Sequence, residues 1–225
     1  MQIRLFKPLR GWRQLSGEVG IIVLGVLIAL GAEQVVQTVN QRREMRELRA
    51  AVDNEIGVSI GTYDGRVKQE PCVEARLAEL DQWLQSWRGG GPKMLTGTIS
   101  APRSAPSRSS VWASRDPAVM SHMPLPVKLA YGSIYDEFAN NEVQRLDERM
   151  TWLALAEYDG ADKLDVASMM RLRGLITRAR WRSKNITGNA AYITDLAKQM
   201  GIQPQPDYFP ASQTAELCRP ILQKS

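Results

Sequence analysis

The sequence predicts an all-α protein, in which one N-terminal transmembrane helix continues into an antiparallel helical bundle with a long irregular loop. Three observations support this fold class. An apolar segment near the N-terminus is long enough to cross a bilayer. Beyond it, apolar residues recur every three or four positions, the period of an α-helix. Between two such stretches, residues 89–125 are rich in Pro, Ser, Gly and Arg, a composition typical of a loop.

The predicted membrane segment is residues 15–36. As a helix it extends about 33 Å, enough for a hydrocarbon core of about 30 Å. Its uncharged run covers residues 19–32, so Glu18 and Glu33 are expected near the two interfaces. Residues 1–14 form a basic tail, in which Trp12 is suited to the headgroup layer. The tail's cations are Arg4, Lys7, Arg10 and Arg13.

A cleavable signal peptide is the alternative interpretation of this segment. The basic start, the apolar run and a small-x-small site at residues 29–31 fit that pattern. The apolar character continues through Val35, Val36 and Val39, and a glutamate opens the run. These two features favour a retained anchor.

The orientation of the anchor depends on the tail and on two cysteines. Four basic residues precede the span and four follow it (Arg42, Arg43, Arg46 and Arg49). The positive-inside rule therefore does not determine the orientation. Cys72 and Cys218 lie near opposite ends of the domain at residues 37–225. They would either close a disulfide, which indicates an oxidising compartment, or remain two buried thiols. A short tail is expected to stay cytoplasmic, which places the domain in the periplasm.

One face of the predicted membrane helix carries small residues and a carboxylate. At 100° per residue, Glu18, Gly25, Ala29 and Ala32 fall within about 60° of one another. Small residues four apart let helices approach closely, and intramembrane carboxylates usually face a partner. We expect this face to contact another membrane helix. The alternative is that Glu18 only reaches the headgroup layer.

The first two helices of the domain are marked by apolar spacing and by breakers. The membrane helix is predicted to continue to about Gln69, with three glycines as weak points: Gly57, Gly61 and Gly65. Its apolar positions are Leu48, Val52, Ile56, Ile60, Tyr63 and Val67. A second helix at residues 72–87 buries Val73, Leu77, Leu80, Leu84 and Trp87, and the Gly-Gly-Gly-Pro run at 89–92 stops it.

Residues 93–124 are predicted to be a loop, with a short helix near 110–114 and a turn at Asp116-Pro117. Helix is predicted again from about 126 to 158, marked by Leu129, Ala139, Val143, Leu146, Met150 and Leu153. The next helix is predicted at 162–200, with Gly201 as its C-cap. An extended tail at 203–210 and a short helix at 211–218 complete the chain. Four main helices with short turns predict an antiparallel bundle.

The sequence contains no recognisable catalytic pattern. Its single histidine, His122, lies in a loop, and no serine has the strand-turn-helix setting of a nucleophile. No Gly-rich run has the spacing of a phosphate-binding loop. Metal binding would need carboxylates alone, because the cysteines are far apart. We therefore expect no enzyme activity, no cofactor and no metal.

Two sets of side chains invite a functional interpretation. Arg171, Arg178 and Arg182 form one row on the long helix, and Arg173, Arg180 and Lys184 form another. The simplest interpretation is two solvated edges; the other is that the first row binds anionic lipid or an acidic partner. Nucleic acid is not expected on the periplasmic side. Trp83, Trp87, Trp112, Trp152 and Trp181 are interpreted as packing residues, with a ligand pocket as the alternative.

The membrane segment carries a resemblance. Gly17-Glu18-Val19 followed by the apolar residues 22–30 resembles the opening of a family of uncharacterised bacterial single-pass membrane proteins, whose members share a Gly-Glu…Gly-Ile-Leu-Ile-Ala-Leu span. The similarity continues in a charged helix at 41–56 and, more weakly, at 111–112, 120–123 and 131–135. Residues 31–33 depart from it, because many members carry Asn, Gln or Trp there. The resemblance implies a retained anchor and an all-helical domain, and it implies no activity.

Together these features predict a protein of the bacterial inner membrane whose partners are lipid and the helices of other membrane proteins. We expect a non-catalytic interaction or accessory subunit of an envelope complex. The alternative is a periplasmic four-helix sensor that binds a small ligand. With only about 14 residues on the cytoplasmic side, such a sensor would have to relay its signal through a partner.

Overall fold

The computed structural model describes residues 12–89, 93–206 and 211–222. Most of the predicted basic tail at 1–14, the end of the predicted Gly-Gly-Gly-Pro stop and residues 207–210 of the predicted extended tail lie outside these described residues.

The all-α prediction is confirmed. Where the structure describes the chain, the helices are α1 (Trp12–Lys68), α2 (Glu70–Arg88), α3 (Ser110–Ala113), α4 (Pro117–Ser121), α5 (Leu125–Ala156), α6 (Val166–Gln199) and α7 (Ala211–Cys218). Local signals set several ends. The Asp116 carboxylate caps α4 by accepting from Ala118 N–H, and the Asp165 carboxylate caps α6 by accepting from Ser168 N–H. Gly201 ends α6 with a φ of 81°.

The chain divides into two compact units, residues 1–47 and 48–225. The described part of the first unit is the N-terminal stretch of α1. An 18-residue window there has a mean hydropathy of 2.3, and none of it is buried. This helix is long and apolar enough to cross a membrane.

In the second unit, α1 and α2 run in the same direction and are separated by Gln69 alone. Pro71 lies in the first turn of α2, where its missing N–H leaves no bond unmade. Glu70 contacts Ser183, and Glu74 contacts the earlier residue Arg180, so α2 is antiparallel to α6. The predicted first and second helices therefore act as one interrupted helix of the bundle.

Helix α5 runs parallel to α1, and α6 returns antiparallel to both. Tyr131 and Tyr135 in α5 donate to Asp53 and Glu55 in α1, and farther along α5 Glu148 pairs with Arg66. α5 and α6 form a hairpin, because Asp147 pairs with Arg182 while the later residue Glu157 pairs with the earlier Arg171. In the described chain the bundle thus consists of three long helical elements, α1 with α2, α5 and α6, rather than four separate long helices.

Residues 93–109 of the predicted loop form an extended segment, here called the strap, that runs back along α2 and α1. Four anchors follow one another in reverse order along these helices. Trp83 Nε1–H donates to Lys93 O, and the Arg76 guanidinium donates to Thr98 O. The Gln69 amide exchanges two hydrogen bonds with the backbone of Arg103, and Ser59 Oγ accepts from Arg108 N–H. Side chains of α1, Gln69 and α2 thus satisfy backbone groups of the strap that would otherwise be costly to bury.

The core lies between α2, α5, α6 and the end of the chain. Its largest members include Trp83, Leu80, Trp152, Leu155 and Leu172, all nearly inaccessible to solvent. The predicted core positions of α2 are buried, except that Trp87 lies at the edge of the core and contacts Trp83 edge-to-face. On α1, Val52, Ile56, Ile60 and Tyr63 are buried as the spacing indicates.

Helix α1 is continuous through Gly57 and Gly61, as the sequence predicts, and whether they weaken it stays a prediction. Residues 203–205 pack directly against these two glycines. Gln205 N–H donates to Gly57 O at 2.9 Å. A Cβ on Gly61 would lie 2.2 Å from Gln205 O, a distance that no side chain tolerates. The close approach of the backbone of the tail therefore requires glycine at residue 61, whereas a Cβ on Gly57 would make a tight contact of 3.0 Å with Gln203 O.

The end of the chain is fastened to α2. A disulfide joins Cys72 to Cys218, which are 146 residues apart in sequence. Next to it, the buried guanidinium of Arg76 donates to Leu217 O at 3.1 Å and to Arg219 O at 2.6 Å. Thr96 N–H donates to Ile221 O, which ties the strap to the same segment.

Candidate interaction site

The apolar residues that mark α5 in the sequence do not form its buried face. Val143 is 67% exposed, Leu146 48%, Met150 62% and Leu153 53%. Ala139 precedes them on the same side and is also exposed. The core side of α5 is instead formed by Tyr131, Ile134, Tyr135, Phe138, Trp152 and Leu155. We call the exposed set, Ala139, Val143, Leu146, Met150 and Leu153, the α5 stripe.

The α5 stripe has the spacing of a coiled-coil seam. Its members are separated by four, three, four and three residues, the a/d pattern of a heptad. At 100° per residue they lie within an arc of about 80°, narrower than the arc of at least 100° with which a helix usually faces a core. From Ala139 to Leu153, 14 helical steps make the stripe about 21 Å long. The α5 stripe is therefore about as wide as the contact surface of a single partner helix.

Arg171, Arg178 and Arg182, the predicted anionic-partner patch, lie on the edge of α6 that faces α5. The Arg182 guanidinium pairs with Asp147, next to Leu146 in sequence, and Arg171 pairs with Glu157 at 3.0 Å. Arg178 is exposed and makes no ion pair within the described part of the chain. The structure thus places the whole row beside the α5 stripe, a relationship that no sequence spacing indicates.

The second arginine row has a different position. Arg180 pairs with Glu74 and Asp81, both at 2.9 Å, and so joins α6 to α2. Arg173 and Lys184 are exposed. This row faces α2, away from the α5 stripe. The two rows therefore lie on different sides of α6.

The predicted face of the membrane helix lies fully at the surface of the chain. Glu18, Gly25, Ala29 and Ala32 are all exposed, and a Cβ on Gly25 would have no neighbour within 4 Å. The packing of this face against a second helix stays a prediction.

Two buried carboxylates that the sequence reasoning missed have structural roles. The Glu148 carboxylate accepts from Arg66, whose guanidinium also donates to Ser183. The Glu55 carboxylate accepts from Tyr135 Oη–H and from the backbone N–H groups of Val111 and Trp112. A signal was present, because Glu55 and Arg66 interrupt the apolar side of α1. Apart from Glu70, which pairs with Arg66 one turn away, their partners are about 55 or more residues away.

The surroundings of Glu55 set the ionisation of both partners. Burial raises the pKa of the Glu55 carboxyl, but the hydrogen bonds from Tyr135, Val111, Trp112 and Ser110 together lower it below its usual value. Burial, followed by the hydrogen bond to Glu55, raises the pKa of the Tyr135 hydroxyl. Both pKa shifts favour a charged Glu55 carboxylate as the acceptor and a neutral Tyr135 hydroxyl as the donor. The cluster is a fully hydrogen-bonded anchor for α3, with Trp112 stacked on Tyr135 at 4.9 Å.

Several hollows in the described part of the chain lie outside the α5 stripe, and two of them contain tryptophans of the core. A cleft of about 360 Å³ is lined by the strap at residues 100–104, by α5 and by α7, and includes Arg145, Arg149 and Glu216. A second hollow of about 270 Å³ contains Trp83, Trp87 and Met94. Of the predicted tryptophan set, Trp83 and Trp152 are core residues, whereas Trp181 is exposed beneath the Arg182 guanidinium.

Within residues 12–89, 93–206 and 211–222, no three His, Cys, Asp or Glu side chains gather as a metal site. His122 is exposed at the end of α4. No family model matches the chain, and no curated protein or solved structure matches it. The resemblance of residues 17–30 to a bacterial single-pass family therefore stays a prediction.

Proposed function

We propose that this protein is a membrane-anchored, non-catalytic interaction protein, an accessory subunit of a bacterial envelope complex. Its second unit docks a helix of a partner protein on the α5 stripe. The observation that carries the proposal is the exposure of four large apolar side chains, Val143, Leu146, Met150 and Leu153, in one a/d row.

An exposed apolar row is costly for a protein that acts alone. Scattered surface leucines are normal, but a contiguous patch rimmed by polar residues marks an interaction surface. Here the rim consists of charged residues on both sides, including Glu142, Asp147, Arg149 and Arg182. An amphipathic helix that lies in such a seam would present apolar residues at the matching positions.

The anchor and the compartment belong to the same proposal. Residues 15–36 hold the protein in the inner membrane, with the N-terminus cytoplasmic and the domain periplasmic. The Cys72–Cys218 bond supports this orientation, because disulfides persist in oxidising compartments. Lipid and the helices of other membrane proteins are then the partners of the first unit.

Site-specific photocrosslinking in native membranes tests the docking face. A photoreactive amino acid replaces Met150 in one variant and Met94 in the control, since both methionines are more than half exposed and Met94 lies in the strap. We expect an adduct at position 150, mapped to a helix of another protein, that is absent at position 94. Equal labelling at both positions, or an adduct at 150 with lipid alone, contradicts the proposal.

A ligand-binding sensor is the second candidate, favoured by the cleft of about 360 Å³ between the strap, α5 and α7. A ligand that binds only the folded chain raises its melting temperature by mass action. Thermal-shift screening of the wild type against Glu216→Gln, which alters the lining of the cleft and lies outside the α5 stripe, separates this function from the first. A ligand shift that Glu216→Gln abolishes would favour the sensor.

A further inference from the structure

We propose that the helix which docks on the α5 stripe is acidic along its flanks, and that Arg149 and Arg178 select it. This inference rests on the proposed function and goes further, because it specifies the charge of the partner. It follows from how the charges beside the stripe are already used within the chain.

Three acids that flank the stripe are paired with arginines of the same chain, whereas Asp136, one turn before Ala139, is exposed and makes no ion pair within the described residues. Glu142 accepts from Arg145 in two hydrogen bonds, at 2.8 and 2.5 Å. Asp147 pairs with Arg182, and Glu157 pairs with Arg171. These carboxylates therefore offer little to a basic partner, since a basic side chain would have to replace an existing pair.

Two cations beside the stripe have no such partner. Arg149, on α5, and Arg178, on α6, are both exposed and make no ion pair within the described residues. Arg149 lies on the flank of the stripe that faces away from α6, and Arg178 lies on the flank formed by α6. In addition, Arg182 has a buried Nε–H without an acceptor in the described part of the chain. A seam with an unpaired guanidinium on each side is complementary to a helix with carboxylates on each side.

The geometry favours a helix over an anionic lipid surface. A helix that lies on a membrane buries a broad apolar face, with leucines and aromatic residues over a wide arc. The α5 stripe is about 80° wide at 100° per residue and contains no aromatic residue. Charged side chains border it within one position on each side, as the e and g positions of a coiled coil do.

Peptide binding to the full-length chain in nanodiscs of zwitterionic lipid tests the inference. Two synthetic 21-residue amphipathic helices share one Leu/Ala stripe and differ only in Glu or Lys at the flanking positions. Fluorescence anisotropy measures the Kd of each peptide. We expect the Glu peptide to bind at least about tenfold more tightly than the Lys peptide, and this ratio to fall as salt screens the charges.

Charge reversal identifies the residues responsible. Arg149→Glu and Arg178→Glu should each weaken binding of the Glu peptide by about three- to tenfold, since each places a like charge opposite the peptide's carboxylates. Arg173→Glu is the matched control, because Arg173 is exposed on the other edge of α6; it should leave the Kd within about twofold of the wild type. Met150→Glu should abolish binding of both peptides.

The outcomes separate this inference from the proposed function. If both peptides bind equally and only Met150→Glu prevents binding, the docking face stands and the charge inference is overturned. If Arg173→Glu weakens binding as much as Arg178→Glu, general charge attraction explains the preference, and the inference fails. Binding to anionic vesicles that Met150→Glu and Arg178→Glu abolish, without binding of the Glu peptide, overturns it in favour of a lipid surface.

Discussion

The guanidinium of Arg66 in α1 donates to both carboxylate oxygens of Glu148 in α5, with Nη2–Oε1 at 2.6 Å and Nε–Oε2 at 3.3 Å. Both side chains are 2% exposed. Arg66 also donates to Ser183 in α6, so one buried cation joins α1, α5 and α6. Removing one partner of such a buried ion pair leaves the other charge buried and uncompensated.

Removing one partner of this pair should be far more harmful than removing both. We expect Arg66→Met to lower the free energy of unfolding by about 3–5 kcal/mol, because Glu148 is left buried without its cation. The double variant Arg66→Met/Glu148→Leu should recover most of the loss. Thermal and urea unfolding followed by circular dichroism measure both. Arg171→Ala, in an exposed pair, is the control and should cost less than about 1 kcal/mol; a similar loss there would contradict the explanation.

Gly61→Ala should displace the tail from α1. The added Cβ would lie 2.2 Å from Gln205 O, so residues 203–205 must move and the hydrogen bond from Gln205 N–H to Gly57 O is lost. Limited proteolysis should then cut near residue 205 faster than in the wild type. Gly174→Ala, in α6 with no atom within 4 Å, is the control and should stabilise the helix by about 0.4–1 kcal/mol. Unchanged proteolysis of Gly61→Ala would refute the close contact.

Docking of α3 should weaken in acid. The pKa of Glu55 lies below its ordinary value of 4.5. A carboxyl whose pKa is lower in the folded state contributes stability above its unfolded pKa and loses it as the pH falls through its folded pKa. The loss is therefore expected below about pH 4.5 and not near neutrality.

Trp112, stacked on Tyr135, reports this step. The ¹⁹F NMR signal of 5-fluorotryptophan at position 112 should shift toward its solvent-exposed value as Glu55 is protonated. In Glu55→Gln the same signal should no longer change with pH over that range, because the amide does not titrate. A Glu55→Gln variant that keeps the wild-type acid transition would assign the transition to another group.

Reduction should destabilise the second unit. The Cys72–Cys218 bond closes a loop across 146 residues of sequence. Breaking it raises the conformational entropy of the unfolded chain and so favours unfolding. We expect about 2–5 kcal/mol lower stability on reduction, measured by urea unfolding with and without dithiothreitol. Cys218→Ser should show the lower stability under both conditions. A wild type that is indifferent to reductant would mean that Arg76 and the strap hold the C-terminal segment without the bond.

The membrane face yields a separate prediction. Gly25→Leu and Glu18→Leu should each reduce co-purification of a membrane partner, the first by bulk and the second by removing an interhelical hydrogen bond worth about 0.6–2 kcal/mol. Neither should change the melting of the second unit. Leu24→Ala, about 100° away on the helix, is the control. Equal partner yields from all three variants would make Glu18 a headgroup residue.

The sequence alone determined the fold class and the approximate ends of the helices. Those features depend on local interactions: the 3/4 spacing of apolar residues, Pro71 in the first turn of α2, and Gly201 at the end of α6. The predicted helix at 211–218 matches α7 for the same reason. The sequence predicts only a turn at Asp116-Pro117, where α4 begins, and places the start of α6 at 162 rather than at Val166.

Only the tertiary structure decided which side of α5 is buried. The helix has two apolar sides, and periodicity marks the aliphatic one, whereas the buried one carries Tyr131 and Tyr135. Their hydroxyls are satisfied by Asp53 and Glu55, which are about 80 residues earlier in the chain. The position of Arg182 beside Asp147, and the need for glycine at residue 61, likewise depend on segments far apart in sequence. Sequence spacing reports which residues share a face, but burial of that face depends on the polar partners that the rest of the fold brings to it.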